Sequence, residues 1–325
     1  MTRLTGICLA AALAVSAVVP AAHAQSDYPQ RPITLVIGWS PGGAVDNLAR
    51  QLAEQMGSEL GQQIIVENRP GANGTIGHAQ VAKATPDGYR ILLATNSTYA
   101  IADHLYDQLV YSHQKDLVPV SLLTSSPLIL AVSPNSGIKT LQDLIEAGKA
   151  KPGRLNMASG GVGSSSHLAG ELFQEITGMQ ATHVAYKGGG PATTAVAAGE
   201  VDMAFLDLGV AVPFVNGNRI RALASSGEAR ASLLPEVPTF AEAGLPAFES
   251  RTYFALFAPT GTPQPIIDKL SAAATKALRQ DPLKGRLEAQ SIEIIASTPA
   301  ELAERATAEH ALWGRIIQER KLSLE

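Results

Sequence analysis

Three stretches of this chain combine glycines with donors in a way that could hold an anion. They are Trp39-Ser40-Pro41-Gly42-Gly43-Ala44, Ser159-Gly160-Gly161-Val162-Gly163-Ser164 and Lys187-Gly188-Gly189-Gly190-Pro191. Each follows a short strand-like run and precedes a helical pattern. The first N–H groups of a helix have no partner inside it, and the helix dipole places partial positive charge there. Glycine lets a ligand come close to that backbone. A strand that runs through such a turn into a helix is an anion site built from main chain. None of the three loops carries an arginine, and Lys187 is the cation nearest to them. A bidentate clamp on phosphate would normally use arginine. A carboxylate held by neutral N–H and O–H donors and by water fits better.

Other residues join the candidate set by position. Asn96 and Ser97 end the strand at 90–95, and Ser126 sits where Ser125-Ser126-Pro127 interrupts a long apolar run. Asp207 closes the strand at 201–206 and reads equally as a ligand contact or a turn residue. Trp39 either offers the cleft a flat wall and one N–H donor or turns inward as core. His167, in the first turn of a helix, reads as a local cap or packing residue before it reads as a ligand contact. Asp46 reads as a partner of its own helix dipole rather than as a general base.

Several chemistries lack their residues. Gly161-x-Gly163-x-x-Ser166 falls one residue short of a dinucleotide fingerprint, and no GxxxxGK[ST] exists. Ser136-Gly137-Ile138-Lys139 matches S-x-x-K without its K-T-G and S-D-N companions. The seven histidines contain no H-x-x-x-H, and no metal cluster is evident. No cofactor and no metal is expected.

The elements that must position these residues alternate. Strands are expected at 33–37, 64–68, 90–95, 155–158, 182–186, 201–206, 220–224 and 253–258, with helices between most of them. That order implies βαβ units and a mainly parallel sheet, with ligands outside the C-terminal strand ends. The run at 117–133 is too long for one ordinary strand; it reads as two collinear strands broken at Ser125-Ser126-Pro127, suiting a crossing between domains, or equally as two adjacent strands of one sheet. Thr262-Pro263 is expected to cap a helix to about Gln280, and Thr298-Pro299-Ala300-Glu301 a final helix to about Lys321. The C-terminal remainder is read as helical.

Composition adds an address. Arg3, the apolar run 4–19 and Ala22-His23-Ala24 read as a secretory signal peptide, residues 1–24, with a mature start near Gln25. The single cysteine, Cys8, lies within it, so no disulfide is expected after export. The chain carries a net charge of −4, and loss of Arg3 makes it −5, which gives no support for nucleic acid.

The chain resembles the Bug-type periplasmic receptors of tripartite tricarboxylate transporters. YPQRPITLVIGWSPGGAVDNLAR, GQQIIVENRPGANGTIG, VAKATPDGYRILLAT, ASGGVGSSSHLAGELF, HVAYKGGGPA, GEVDMAF, IRALA, LPEVPTFAEAG and FALFAPTGTP carry the resemblance, in the family's order. It implies a two-domain α/β solute-binding fold (type II-like), each domain a mainly parallel sheet flanked by helices and hinged by crossing strands. It also implies carboxylate recognition, partly through water, at Ser40 to Ala44 and Ser159 to Ser164, and delivery to membrane subunits. Trp39 stands where the family usually has phenylalanine, Asp207 where asparagine is common, and Gly209 where proline is frequent. Domain I is expected at 25–124 and 227–325 and domain II at 125–226, with the return crossing at 220–224 or at 253–258. The expected protein is a monomeric periplasmic receptor for a small carboxylate. Its alternatives are the ligand-binding partner of a sensor and an exported hydrolase using Ser159 or Ser164, for which the sequence displays no paired base.

Overall fold

The computed structural model describes residues 28–320, apart from 107, 249 and 291. The expected leader and the helix end at Lys321 lie outside the described residues. The chain opens with β1 (Ile33–Ile37), α1 (Ala44–Leu60), β2 (Ile64–Asn68), α2 (Thr75–Ala82) and β3 (Arg90–Thr95). Val45, Leu48, Ala49, Leu52, Ala53 and Met56 form the buried face of α1, and Gly61 stops the helix in the left-handed region at φ 68°. Ser97–Ile101 wind as a π turn. The short helices α3 (Ala102–Leu105) and α4 (His113–Asp116) lead into β4 (Leu117–Val132).

The alternation then repeats, with α5 (Leu141–Ala150), β5 (Leu155–Ser159), α6 (Ser165–Thr177), β6 (Ala181–Ala185), α7 (Gly189–Ala198), β7 (Met203–Asp207), α8 (Leu208–Asn216) and β8 (Arg221–Ser225). A stretch without long elements reaches β9 (Arg251–Pro259), followed by α9 (Gln264–Arg279), α10 (Leu283–Ala289), β10 (Glu293–Ile294) and α11 (Pro299–Arg320).

The strands run in the order β2-β1-β3-β9-β4-β7-β5-β6, and β8 and β10 add to β4. In one half, β1 pairs parallel with β2 and β3; in the other, β5 pairs parallel with β6 and β7. The antiparallel strands β4 and β9 join the halves. Helices cover both faces of each half. Core residues of α1, α9 and α10 pack on one face of the first half, and those of α2 and α11 on the other. The second half buries α5 and α6 on one face and α7 and α8 on the other. Leu234, Val237, Phe240 and Phe248 belong to these second-half cores.

Three expectations need correction. The run at 117–133 is one strand, not two. Pro127 lacks an N–H, but it falls where β4 changes partners. Pro127 is the last residue paired with β9, and Leu128 is the first paired with β7, so no ladder bond is lost mid-sheet. Thr262 does not cap α9: its hydroxyl bonds the Pro259 carbonyl at 2.7 Å, and Pro263 takes the cap position. The C-terminal remainder is not all helix, because Glu293 and Ile294 pair with Ser125 and Thr124 of β4. By contrast, Thr298 and Glu301 form the expected reciprocal cap, at 2.8 Å and 3.3 Å.

The first half also buries two histidines. His78 and His113 lie with ring centres 5.7 Å apart, and their ring nitrogens have no hydrogen-bond partner. Burial holds the His78 pKa well below its usual value and lowers that of His113 to about 3.

Candidate ligand-binding cleft

The strand ends and helix starts of both halves meet at one place. Gly42 takes φ +85°, which turns the chain from β1 into α1, and Gly43 is the N-cap without a side-chain cap bond. Asp46 braces this turn. Its carboxylate accepts the Gly42 N–H at 3.0 Å, Arg50 at 2.9 and 3.0 Å, and Asn68 at 3.0 Å. Burial works against its ionisation, but these hydrogen bonds outweigh it and lower the pKa. Asn68 also donates to the Trp39 carbonyl at 3.0 Å. Asp46 is thus bound into its own turn and does not act as a base.

The serine loop is braced in the same manner. Ser164 caps α6 by accepting the His167 N–H at 3.2 Å. Ser166 accepts the Gly160 N–H at 2.9 Å. The Gly163 N–H donates to His167 Nδ1 at 3.0 Å, so the proton of that ring sits on Nε2, 3.4 Å from Glu171. His167 stacks on His183 with ring centres 3.9 Å apart. His183 Nε2 in turn lies 2.6 Å from Ser159 Oγ. A histidine therefore does pair with Ser159, a contact hidden by 24 residues of separation. Ser159 is fully buried and also bonds the Gly161 carbonyl. Burial and the neighbouring His167 lower the His183 pKa to about 4. This pair holds up the loop from behind, with Ser159 fully buried.

Two chambers lie between the halves. The inner one encloses about 50 Å³ and receives the N-terminal ends of α1, α6 and α7 at Gly43 to Val45, Ser164 to Ser166 and Gly189. Trp39, Thr95, Ser97, Gly160, Phe205, Leu206, Asp207 and Thr252 complete it. The outer one, of about 230 Å³, is lined on one side by Gly38 and Gly71 to Gly74 and on the other by Gly160 to Val162 and Ala185 to Lys187. Trp39 and Gly160 border both chambers. A shallower groove of about 730 Å³ follows α1 and β2. It meets the C-terminal end of α1, where carbonyls disfavour an anion.

The chemistry of the inner chamber is set by three unpaired atoms. Trp39 Nε1, Thr252 Oγ1 and Asp207 Oδ1 are buried without hydrogen-bond partners. Trp39 is 7% exposed and also packs in the first-half core, so the cleft and core readings are both partly true of it. Burial raises the Asp207 pKa to about 6, opposed in part by the Thr252 hydroxyl, which lies nearby without reaching hydrogen-bond geometry, and by its own backbone N–H.

Of the residues expected at the site, Trp39, Gly43, Ala44, Ser97, Gly160, Ser164 and Asp207 line the inner chamber. Val162 lines the outer one. Ser40, Gly42, Asn96, Ser126, Ser159 and Gly163 line neither. The Ser40 N–H reaches the Lys187 carbonyl of the other half at 3.3 Å. Asn96 Oδ1 accepts from Ser165 of the other half at 3.1 Å and from the Tyr253 N–H at 3.3 Å. Ser126 lines a separate pocket with Thr124, Gly209 and Gln290. Sequence reading missed Thr95, Ser165, Ser166, Gly189 and Thr252. The serines and Gly189 lie in or beside the quoted loops, whereas Thr252 has no local signal because β9 delivers it from far along the chain.

Known proteins resemble this chain in sequence and fold. The profile of the tripartite tricarboxylate transporter family receptor (TctC) matches residues 48–322. Protein BugT of Bordetella pertussis is 35% identical over 293 residues, 90% of this chain and 90% of that protein. The structure of MatC from Rhodopseudomonas palustris with bound malate has a TM-score of 0.84 and 33% identity, covering 89% of this chain and 100% of MatC. A second R. palustris protein, solved with adipate, has a TM-score of 0.86 and 31% identity over 90% of this chain and 97% of its own. The mixed α/β fold, with helices on both sides of its sheet, is that of these two-domain binding proteins. The chain belongs to the tripartite tricarboxylate transporter receptor family and is a Bug-type solute-binding receptor rather than an enzyme.

Proposed function

We propose that this receptor works in the periplasm, captures a small carboxylate in the inner chamber and delivers it to the membrane subunits of a tripartite tricarboxylate transporter. The observation that carries the reading is the convergence of the α1, α6 and α7 N-termini on one chamber between the halves. Backbone N–H groups and dipoles there favour an anion. Malate and adipate in the two structural neighbours are carboxylates of suitable class. The halves serve as the two domains of a trap that closes on the ligand and slows its escape. We place the outward crossing in β4 near residue 125. We place the return in β9 rather than at 227, because Leu234, Val237, Phe240 and Phe248 pack with the second half. The receptor acts as a monomer and takes no cofactor.

Native mass spectrometry of the purified protein is expected to show a co-purified organic acid. A thermal-shift panel of mono-, di- and tricarboxylates, sugars and phosphate esters is expected to respond to carboxylates. A response confined to sugars or phosphate esters would overturn the assignment. Co-purification with the membrane subunits, enhanced by ligand, tests the delivery step.

A further inference from the structure

The inner chamber is not a plain anion site. Its lining contains no lysine, arginine or histidine, and Asp207 is its ionisable carboxylate. Asp207 occupies the N-cap position of α8, where an aspartate would usually turn onto the N–H groups of its own helix. Here it makes no side-chain cap bond. One carboxylate oxygen, Oδ1, is buried and unpaired, as is the hydroxyl of Thr252 in the same chamber. The neighbouring charges are mostly engaged elsewhere, although Arg251 Nε is buried without a partner. Arg251 on β9 pairs with Glu293 on β10 at 3.3 Å, and Glu171 on α6 faces His167. His183, on β6, faces Ser159.

An anion held at the helix N-termini therefore shares its chamber with a second, fixed anion. A plain dicarboxylate that reached both ends would set like charges against each other inside a low-dielectric space. A ligand that brings its own cation removes the conflict, because a buried carboxylate is tolerated when it is paired. Building on the carboxylate reading above, we infer that Asp207 is a specificity-determining residue that selects acids bearing a protonated amine. The ligand ammonium docks on Asp207 Oδ1 while its carboxylate meets the α1, α6 and α7 N-termini and the Trp39 N–H. Burial supports this division of labour, since a carboxyl pushed up to about 6 is ionised at neutral pH yet gains from a cationic partner.

The test is calorimetric titration at pH 8 of the wild type and Asp207→Asn with matched acids. The pairs are succinate and aspartate, glutarate and glutamate, and butanoate and 4-aminobutanoate, with malate as a hydroxyl control. The wild type is expected to bind the aminated member of at least one pair roughly tenfold or more tighter than its partner and than malate. Asp207→Asn is expected to abolish that preference and to leave the unaminated acid bound as well or better. A wild-type measurement at pH 5, needing no variant, is expected to weaken the aminated ligand about tenfold as Asp207 takes up a proton. Equal or tighter binding of the unaminated acids or malate by the wild type would sink the inference and leave the carboxylate reading standing. A preference retained in Asp207→Asn would sink it too. No binding of any acid would sink both.

Discussion

At the scale of single residues, Trp39 and Ser159 make separable predictions. Trp39 forms the wall shared by the two chambers and keeps an unpaired indole N–H there, whereas Trp313 packs on the second core of the first half. Ligand is therefore expected to change the fluorescence of Trp39 and leave that of Trp313 nearly constant. In a titration, Trp39→Phe should lose the saturable signal and keep a ligand-induced thermal shift. Survival of the signal in Trp39→Phe, with loss in Trp313→Phe, would remove Trp39 from the cleft. Ser159 braces the loop through His183 and Gly161, so Ser159→Ala is expected to cost about 1–2 kcal/mol of stability and change ligand affinity little. Denaturant unfolding read beside calorimetry checks both halves of that statement. The glycine turns were legible at this scale because a turn and a helix start are local devices. The use of each side chain was not. Ser159 and Ser164 look alike in the sequence, yet one faces His183 behind the loop and the other lines the chamber.

Among elements, strand and helix positions followed the apolar pattern, and the misreadings came from tertiary context. Pro127 signals a break locally, but β4 continues because its ladder partner changes there. Thr252 reaches the chamber through the long return of β9, which no local pattern announces. Two predictions belong here. Ser164 caps α6, and Ser164→Ala should cost about 1 kcal/mol by removing an N-cap acceptor, seen as a lowered denaturation midpoint. The buried His78 and His113 make the packing of α2 and α4 acid-sensitive. Their folded pKa values lie below the ordinary value near 6.5, His113 at about 3. The unfolded chain therefore takes up protons first. Their stabilising effect is intact above about pH 6.5 and is lost as pH falls from there towards about 3, by up to about 1.4 kcal/mol per pH unit for each histidine. Melting temperatures from pH 7.5 to 4 should fall accordingly. His113→Phe, which stays apolar beside Phe257, should flatten the decline.

For the molecule as a whole, the halves meet backbone to backbone along one seam, where Ser40 to Gly43 face Gly188 to Gly190. A Cβ on Gly190 would stand 3.1 Å from the Gly42 carbonyl carbon, and one on Gly188 would stand 3.4 Å from the Ser40 nitrogen. Gly43 faces Gly189 and Gly190 across the same seam. Gly190 lies in the first turn of α7, where alanine favours helix by up to about 1 kcal/mol. Gly190→Ala is thus expected to hold or raise the melting temperature of the empty protein while weakening ligand binding, since its methyl presses on the opposing backbone. Gly190→Val should weaken binding further. Tighter binding by either variant would argue against closure along this seam.

The seam also bears on how such a receptor can change under mutation. Every replacement of Gly190 adds at least a Cβ, so variation there can only prop the halves apart and offers no graded route to a new ligand. Trp39, Asp207 and Thr252 impose no such limit, because they line the chamber and are not glycines in the seam between the two backbones. In a saturation-mutagenesis screen scored separately for folding and for uptake, Gly190 should tolerate changes in the first score and reject them in the second. Ligand preference, when it drifts, should drift at the chamber-facing side chains while the glycine seam stays fixed.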